Sequence, residues 1–282
     1  MTSITFVGIG AIGLPMAAQL VRAGHDVAGV DPMPAARERG AAVGVPVVPT
    51  IADAERSELV IAMVATPDQL ETLVGQAGAG VTGQTWVIMS TVGPESVIAQ
   101  AARLSEAGAR VVDAPVTGGV ARATTGELVV FLSGEQDTVS AVAPVLQSFG
   151  TVRVVGSRIG DGQSVKVVNQ HLCSVHIVAA AEALSLAAAL GLDQAKVLDH
   201  IGGGAAGSWM LGDRGPRMLE DDPRVTSTIN IFVKDSGLVA DAAAASGADV
   251  PLLAVAQARY ADAAAAGLGQ SDDSRVIATY PR

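Results

Sequence analysis

The chain has 282 residues, 49% hydrophobic and 16% charged, which excludes disorder and leaves room for two domains. Its formal net charge of −10 and isoelectric point near 4.8 argue against nucleic acid and anionic membranes as partners, while allowing a local basic pocket for an anionic substrate. Cys173 is the single cysteine, so no intramolecular disulfide can form; a reducing cytoplasm is the expected setting, and no metal is expected.

The N-terminus MTSITFVGIG has no basic stretch ahead of its apolar run and does not read as a signal peptide. ITFVGIG (4–10) predicts a strand and AIGLPMAAQLVRAG (11–24) a helix closed by Gly24. HDVAGVD (25–31) is the next strand. LVIAMVA (59–65) and TWVIMST (85–91) are continuous apolar runs of the kind found in parallel strands buried on both faces. PESVIAQAARLSEAG (94–108) is helical; RVVDAPV (110–116), ELVVFLSG (127–134) and TVRVVG (151–156) are further strands. This alternation predicts an α/β fold, a Rossmann-type doubly wound sheet over 1–162. After GDGQ (160–163) the strand signal stops. A long helix over 163–191 and an all-helical domain over 192–282 follow, interrupted by GGGAAG (202–207) and DDPR (221–224). At ~1.5 Å per residue the long helix spans on the order of 40 Å, enough to carry residues from one domain to the next. His176 and Glu182 within it, with Lys166, Asn169 and Gln170 at its start, favour a buried helix over a membrane span.

Gly8-Ile9-Gly10-Ala11-Ile12-Gly13 joins the first strand to the first helix. In a dinucleotide site the first glycine permits the turn, the second admits the pyrophosphate, and the third packs helix on strand; the helix N-terminus adds N–H donors around Ala11 and Ile12. Asp31 ends the second strand 18 residues after Gly13, where an acid accepts from the adenosine ribose and repels a 2′-phosphate. Pro32 and Met33 follow rather than arginine, so NAD is the expected cofactor. Ala65, Thr66 and Thr91 sit at later strand ends and line the same crevice, although such positions also suit ordinary turns. Thr117, Gly118 and Gly119 present a hydroxyl and open backbone N–H groups that can receive a carboxylate. Lys166 and Gln170 share a helix face with Asn169 beside them. From spacing alone, a solvated lysine fits better than a reactive one.

GIGAIGLPMAAQL, DAPVTGGVARATTG, KVVNQ and FVKDSGLVA occur in that order, and together they resemble the β-hydroxyacid dehydrogenase family, which includes 3-hydroxyisobutyrate dehydrogenase and tartronate semialdehyde reductase. The resemblance covers essentially the whole chain. It implies an NAD-dependent oxidoreductase acting on a small anionic hydroxy acid, with Lys166 catalytic, Gln170 and Asn169 orienting substrate, Thr117–Gly119 at its carboxylate, and Lys234 near both cofactor and substrate. Threonine at 117 replaces the usual serine and keeps its hydroxyl. Ser236 replaces the usual leucine without an account from the sequence. AAGSWM (205–210), INIFVKDSGLV (229–239) and SDDSRVI (271–277) are similar to the branch that oxidises four-carbon sugar acids such as L-threonate, placing Ser208 and Trp209 on the substrate side. A packing tryptophan is the rival reading there, and a core histidine the rival to a substrate contact at His176. For lysine to act as a base its ordinary pKa, about 10.4, has to fall toward neutrality. The rival enzyme reading, phosphogluconate-type oxidative decarboxylation, needs basic residues for a phosphate, with Arg214, Arg217 and Arg224 as candidates in a loop that looks irregular. An imine-reducing relative and a non-enzymatic dinucleotide sensor are further alternatives. The helical domain, poor in charge, predicts a homodimer or homotetramer.

Overall fold

The computed structural model describes residues 1–281; Arg282, the last residue of the predicted C-terminal domain, lies outside the described residues. The chain divides into two compact units, Met1–Lys166 and the part from Val167 on.

The first unit alternates strand and helix: β1 (Ser3–Val7), α1 (Gly13–Arg22), β2 (Asp26–Val30), α2 (Pro34–Ala42), β3 (Val47–Val48), β4 (Leu59–Ala62), α3 (Pro67–Ala77), β5 (Thr85–Ile88), α4 (Pro94–Glu106), β6 (Arg110–Asp113), β7 (Val116–Thr117), α5 (Gly119–Thr125), β8 (Leu128–Gly134), α6 (Gln136–Leu146) and β9 (Gly150–Gly156). The sheet order is β3-β2-β1-β4-β5-β6-β8-β7, with β9 paired to β8. β1 to β6 run parallel in the doubly wound order, and the direction of winding reverses between β1 and β4. Every residue of β4 and β5 is buried, because helices cover both faces of the sheet. One apolar core joins Ile4, Phe6, Met16, Leu20 and Phe149; the other joins Val7, Val60, Leu70, Trp86 and Leu104. Helix α1 ends where its sequence says it should. Gly24, at φ +84°, donates to the Val21 carbonyl and His25 to that of Leu20, the double closure of a helix on a left-handed glycine.

The run 110–116 is not one strand. It breaks at Ala114-Pro115 into β6 and β7, since proline offers no N–H to a ladder and restricts the residue before it. β8 runs antiparallel to both pieces, so the sheet is mixed at this edge. The sequence reading also passed over the short helices α2, α3, α5 and α6.

α7 (Asp161–Ala189) is a single helix of 29 residues, about 44 Å at 1.5 Å per residue. It starts in the first unit and continues into the second, where α8 (Gln194–Gly202), α9 (Trp209–Met218), α10 (Ile229–Ser246) and α11 (Pro251–Ala263) follow. The GGGAAG break separates α8 from α9, and DDPR lies between α9 and α10. Ile177, Ala181 and Leu184 of α7 join Met210, Phe232, Tyr260 and Val276 in the core of this unit. Arg214 and Arg217 lie on α9, a regular helix rather than the irregular loop expected. Buried Asp273 takes Arg214 in a two-point contact, Nε to Oδ1 at 2.9 Å and Nη2 to Oδ2 at 2.8 Å. Arg217 donates to Asp213 at 3.0 Å and to Thr226, and its Nε lies 3.6 Å from Asp272.

Candidate active site

The three glycines of the fingerprint do three different jobs. Gly8 has φ +96°, and a Cβ there would lie 2.3 Å from the Met63 carbonyl oxygen at the exit of β4. A Cβ on Gly13 would lie 1.9 Å from the Gly8 carbonyl oxygen and 3.1 Å from the Phe6 ring, so only glycine lets α1 seat on β1. Gly10 is exposed, and a Cβ there would meet nothing within 4 Å. The fold therefore has no use for glycine at position 10, whereas a ligand backbone drawn onto the loop does. Ala11 and Ile12 follow at the opening of α1, above the point where the winding reverses. The site fits a dinucleotide.

Asp31 is 9% exposed. Its Oδ2 accepts from the Ile9 N–H at 2.9 Å and its Oδ1 from the Met33 N–H at 2.9 Å. The carboxylate thus ties the glycine loop to the turn after β2 and keeps a fixed negative charge at the end of that strand. At the exit of β4, Thr66 caps α3 by accepting from the Gln69 N–H at 3.2 Å, and Ala65 donates to the Gln69 side chain at 2.8 Å. Ser90, fully buried, accepts from the Val64 N–H at 2.8 Å, which links the exits of β4 and β5; Thr91 follows it.

Thr117 ends β7, opposite Val129. Gly118 and Gly119 have φ of +131° and +65°; a Cβ on Gly118 would strike the Arg122 side chain, while one on Gly119 would meet nothing. Four residues before Thr117, the buried Asp113 carboxylate faces the start of α7. Its Oδ2 accepts from the N–H of Gln163 at 2.8 Å and of Gly160 at 3.2 Å, and its Oδ1 accepts from the Gln163 side chain at 3.0 Å. Burial pushes this carboxyl from 3.8 up to about 6, against the pull of those hydrogen bonds. A carboxyl whose pKa is raised on folding keeps its proton longer in the folded chain, so its contribution to stability falls as the pH rises from about 4 to about 6. Asp113→Asn is expected to be less stable than the parent by a margin that narrows by roughly 2 kcal/mol between pH 4 and pH 7.5. Urea unfolding at both pH values measures it; a margin that stays constant would contradict the shift.

Lys166 is buried on α7 in the turn after Gln163, and Gln170 stands one helical turn beyond it. In the second unit the structure brings together Asn169, Gln170, Lys234 and Asp235. Asn169 Nδ2 donates to Gln170 Oε1 at 2.9 Å, and Gln170 Nε2 donates to Asp235 Oδ2. Lys234 Nζ lies 2.7 Å from Asp235 Oδ1. Asp235 therefore fixes which way the Gln170 amide faces while holding the lysine. Ser236 is buried and its hydroxyl donates back to the Val233 carbonyl at 3.2 Å, which accounts for a polar side chain there. Ser208 caps α9 by accepting from the Leu211 N–H at 3.0 Å. Trp209 is 46% exposed with the Arg214 guanidinium carbon 5.7 Å from its ring centre. Two of the three arginines considered for a phosphate are thus committed to carboxylates; Arg224 is exposed. Among the described residues no group of three or more His, Cys, Asp or Glu could hold a metal. Sequence reasoning missed Asp113 and Gln163, which meet each other across 50 residues of chain and leave no local signal.

Residues 3–160 match the NAD-binding domain of 6-phosphogluconate dehydrogenase, and residues 160–280 match the domain described as NAD-binding of NADP-dependent 3-hydroxyisobutyrate dehydrogenase. The chain is 38% identical to the L-threonate dehydrogenase of Cupriavidus necator, over 99% of this chain and 96% of that one. The crystal structure of 3-hydroxyisobutyrate dehydrogenase from Salmonella typhimurium superposes with a TM-score of 0.92 at 32% identity, covering 99% of this chain and all of that one. The Mycobacterium tuberculosis 3-hydroxyisobutyrate dehydrogenase with L-serine superposes with a TM-score of 0.86 at 32% identity, covering 99% of each.

Proposed function

This chain belongs to the 3-hydroxyisobutyrate dehydrogenase family, NAD-dependent enzymes acting on CH–OH groups, and on that premise we propose that it oxidises a four-carbon sugar acid such as L-threonate at C2. The observation that carries the cofactor half of the reading is Gly10, a glycine that the fold does not need and a pyrophosphate does. Its likeness to the Cupriavidus necator enzyme supports the substrate half.

In this reading Gly8 to Gly13 cradle the pyrophosphate, and Asp31 selects the unphosphorylated ribose. Ala65, Thr66 and Thr91 line the crevice. Bound NAD supplies the acceptor for the hydride that leaves the hydroxyl carbon. Thr117, Gly118 and Gly119 receive the substrate carboxylate through a hydroxyl and unobstructed N–H groups. Lys166 takes the hydroxyl proton during oxidation and returns it during reduction. Asn169 and Gln170 orient the reactants without adding charge. Lys234 supplies a cation, steadied by Asp235, and Ser208 and Trp209 border the substrate. The phosphogluconate-type alternative loses support, because Arg214 and Arg217 are already neutralised by Asp213, Asp272 and Asp273.

The working form is a homodimer or homotetramer in the cytoplasm. Val168, Leu172, Ala179, Ala183 and Leu186 are exposed along one side of α7. Two copies that each carry a net charge of −10 associate best through such an uncharged stripe. Sedimentation showing a monomer at micromolar concentration would count against it.

The experiment follows NADH formation at 340 nm with L- and D-threonate, D- and L-erythronate, D-glycerate, 3-hydroxyisobutyrate and 6-phosphogluconate, with NADP run beside NAD. We expect strong turnover of one four-carbon acid, with NAD preferred over NADP at least tenfold. Turnover of 3-hydroxyisobutyrate alone would keep the mechanism and reject the sugar-acid branch.

A further inference from the structure

Gln163 is fully buried in the first turn of α7, and its amide makes every hydrogen bond available to it. An amide has two donors and two acceptor sites. Its Oε1 accepts from the N–H of Val92 at 3.0 Å and of Gly93 at 3.1 Å, and its Nε2 donates to the Ser90 carbonyl at 2.9 Å and to Asp113 Oδ1 at 3.0 Å. Its backbone N–H adds a fifth bond, to Asp113 Oδ2 at 2.8 Å. Next to it the Gly162 N–H donates to the buried Ser133 hydroxyl at 2.9 Å. The partners of Gln163 belong to the exits of two neighbouring strands, β5 and β6. The turn after β5 carries Thr91, and the end of β6 leads through Asp113 to Thr117. Asp113 and Ser133 would suffice to satisfy the start of the helix. The side-chain amide adds the tie to the β5 turn, and no other residue type offers the same four bonds at that reach: glutamate has no donor, leucine has neither group, and asparagine is one methylene short.

We propose that Gln163 is a positioning residue for the reaction: it sets the rotation of the first turns of α7 against the strand exits, and thereby sets where Lys166, three residues on, projects. A rotation of roughly 10° moves an atom about 6 Å from a helix axis by about 1 Å, and a misplacement of that size costs on the order of a hundredfold in rate. The inference rests on Lys166 as the proton acceptor.

Gln163→Leu and Gln163→Glu, made in the full chain, test it. NADH-binding sites are first counted by fluorescence titration, and kcat and KM are then measured per site with L-threonate, or with the panel acid that turns over fastest. Gln163→Leu is expected to lower kcat per site about 100-fold, with KM changed less than threefold. Gln163→Glu keeps the shape and loses the donors, and two adjacent carboxyls hold a shared proton more readily as the pH falls. Its kcat relative to the parent is therefore expected to recover severalfold from pH 8.5 to pH 6. A merely structural role lowers the melting temperature and the number of sites but leaves kcat per site and its pH profile alone. Values within twofold of the parent, with a flat ratio across pH, overturn the proposal. If the leucine variant does not fold, the glutamate variant decides by the same criterion. Lys166→Ala in the same assay separates the two claims. Near-normal turnover there removes the premise, while its loss alongside intact Gln163 variants sinks the positioning role alone.

Discussion

Lys166→Ala is expected to lower kcat by about 10³-fold while leaving the NADH dissociation constant within about threefold of the parent. The size follows from what a positioned acid–base group contributes, typically a factor between a hundred and ten thousand. The selectivity follows from the division of labour in the proposed site, in which the glycine loop and Asp31 hold the dinucleotide and Lys166 has no part in that. Lys166→Arg sharpens the test. Arginine keeps the positive charge but does not give up its proton in a protein, so it cannot accept one from substrate. If Lys166 serves only as a cation, arginine should restore much of the activity. If it moves a proton, arginine should be nearly as inactive as alanine. Steady-state NADH formation gives kcat, and quenching or enhancement of NADH fluorescence gives the dissociation constant. Near-parental turnover in Lys166→Ala would end this mechanism.

The second large effect is a contrast between two glycines three residues apart. Gly13→Ala should unfold the first unit or leave it destabilised by more than about 4 kcal/mol, because its Cβ would meet the Gly8 backbone oxygen at 1.9 Å and backbone cannot step aside. Gly10→Ala should fold normally and even gain a few tenths of a kcal/mol, since a less flexible residue costs the unfolded chain entropy and its Cβ meets nothing within 4 Å. NADH affinity of Gly10→Ala should nonetheless fall at least about 30-fold, because in the proposed site the methyl group would stand where the loop approaches a pyrophosphate. Urea midpoints and NADH titrations read the two properties separately. A Gly10→Ala protein that binds NADH like the parent would show that the loop does not cradle the cofactor.

These two tests draw on different layers of information. The glycine loop was legible as sequence because its constraints are local: a strand, a turn and a helix opening within a dozen residues, closed by Asp31 at the end of the next strand. The buried strands β4 and β5 were legible for a similar reason, since continuous apolar runs have few other uses. The long helix, the breaks at GGGAAG and DDPR and the helical second half followed from propensity and punctuation alone. Where local signals competed, the reading failed. Pro115 split what looked like one strand, and Arg214 and Arg217 sat on a helix that glycine and proline residues had made look irregular.

The sequence by itself determined the order and type of the main elements, the glycine turn that joins β1 to α1, and the placing of Lys166, Asn169 and Gln170 on consecutive turns of one helix, because each depends on residues close together in the chain. The tertiary structure alone decided the hydrogen-bond partners. Asp113 meets Gln163 across 50 residues, Gln170 meets Asp235 across 65, and Arg214 meets Asp273 across 59. Burying a polar group is tolerable only when a partner waits for it, and which partner waits is settled by how strands and helices pack.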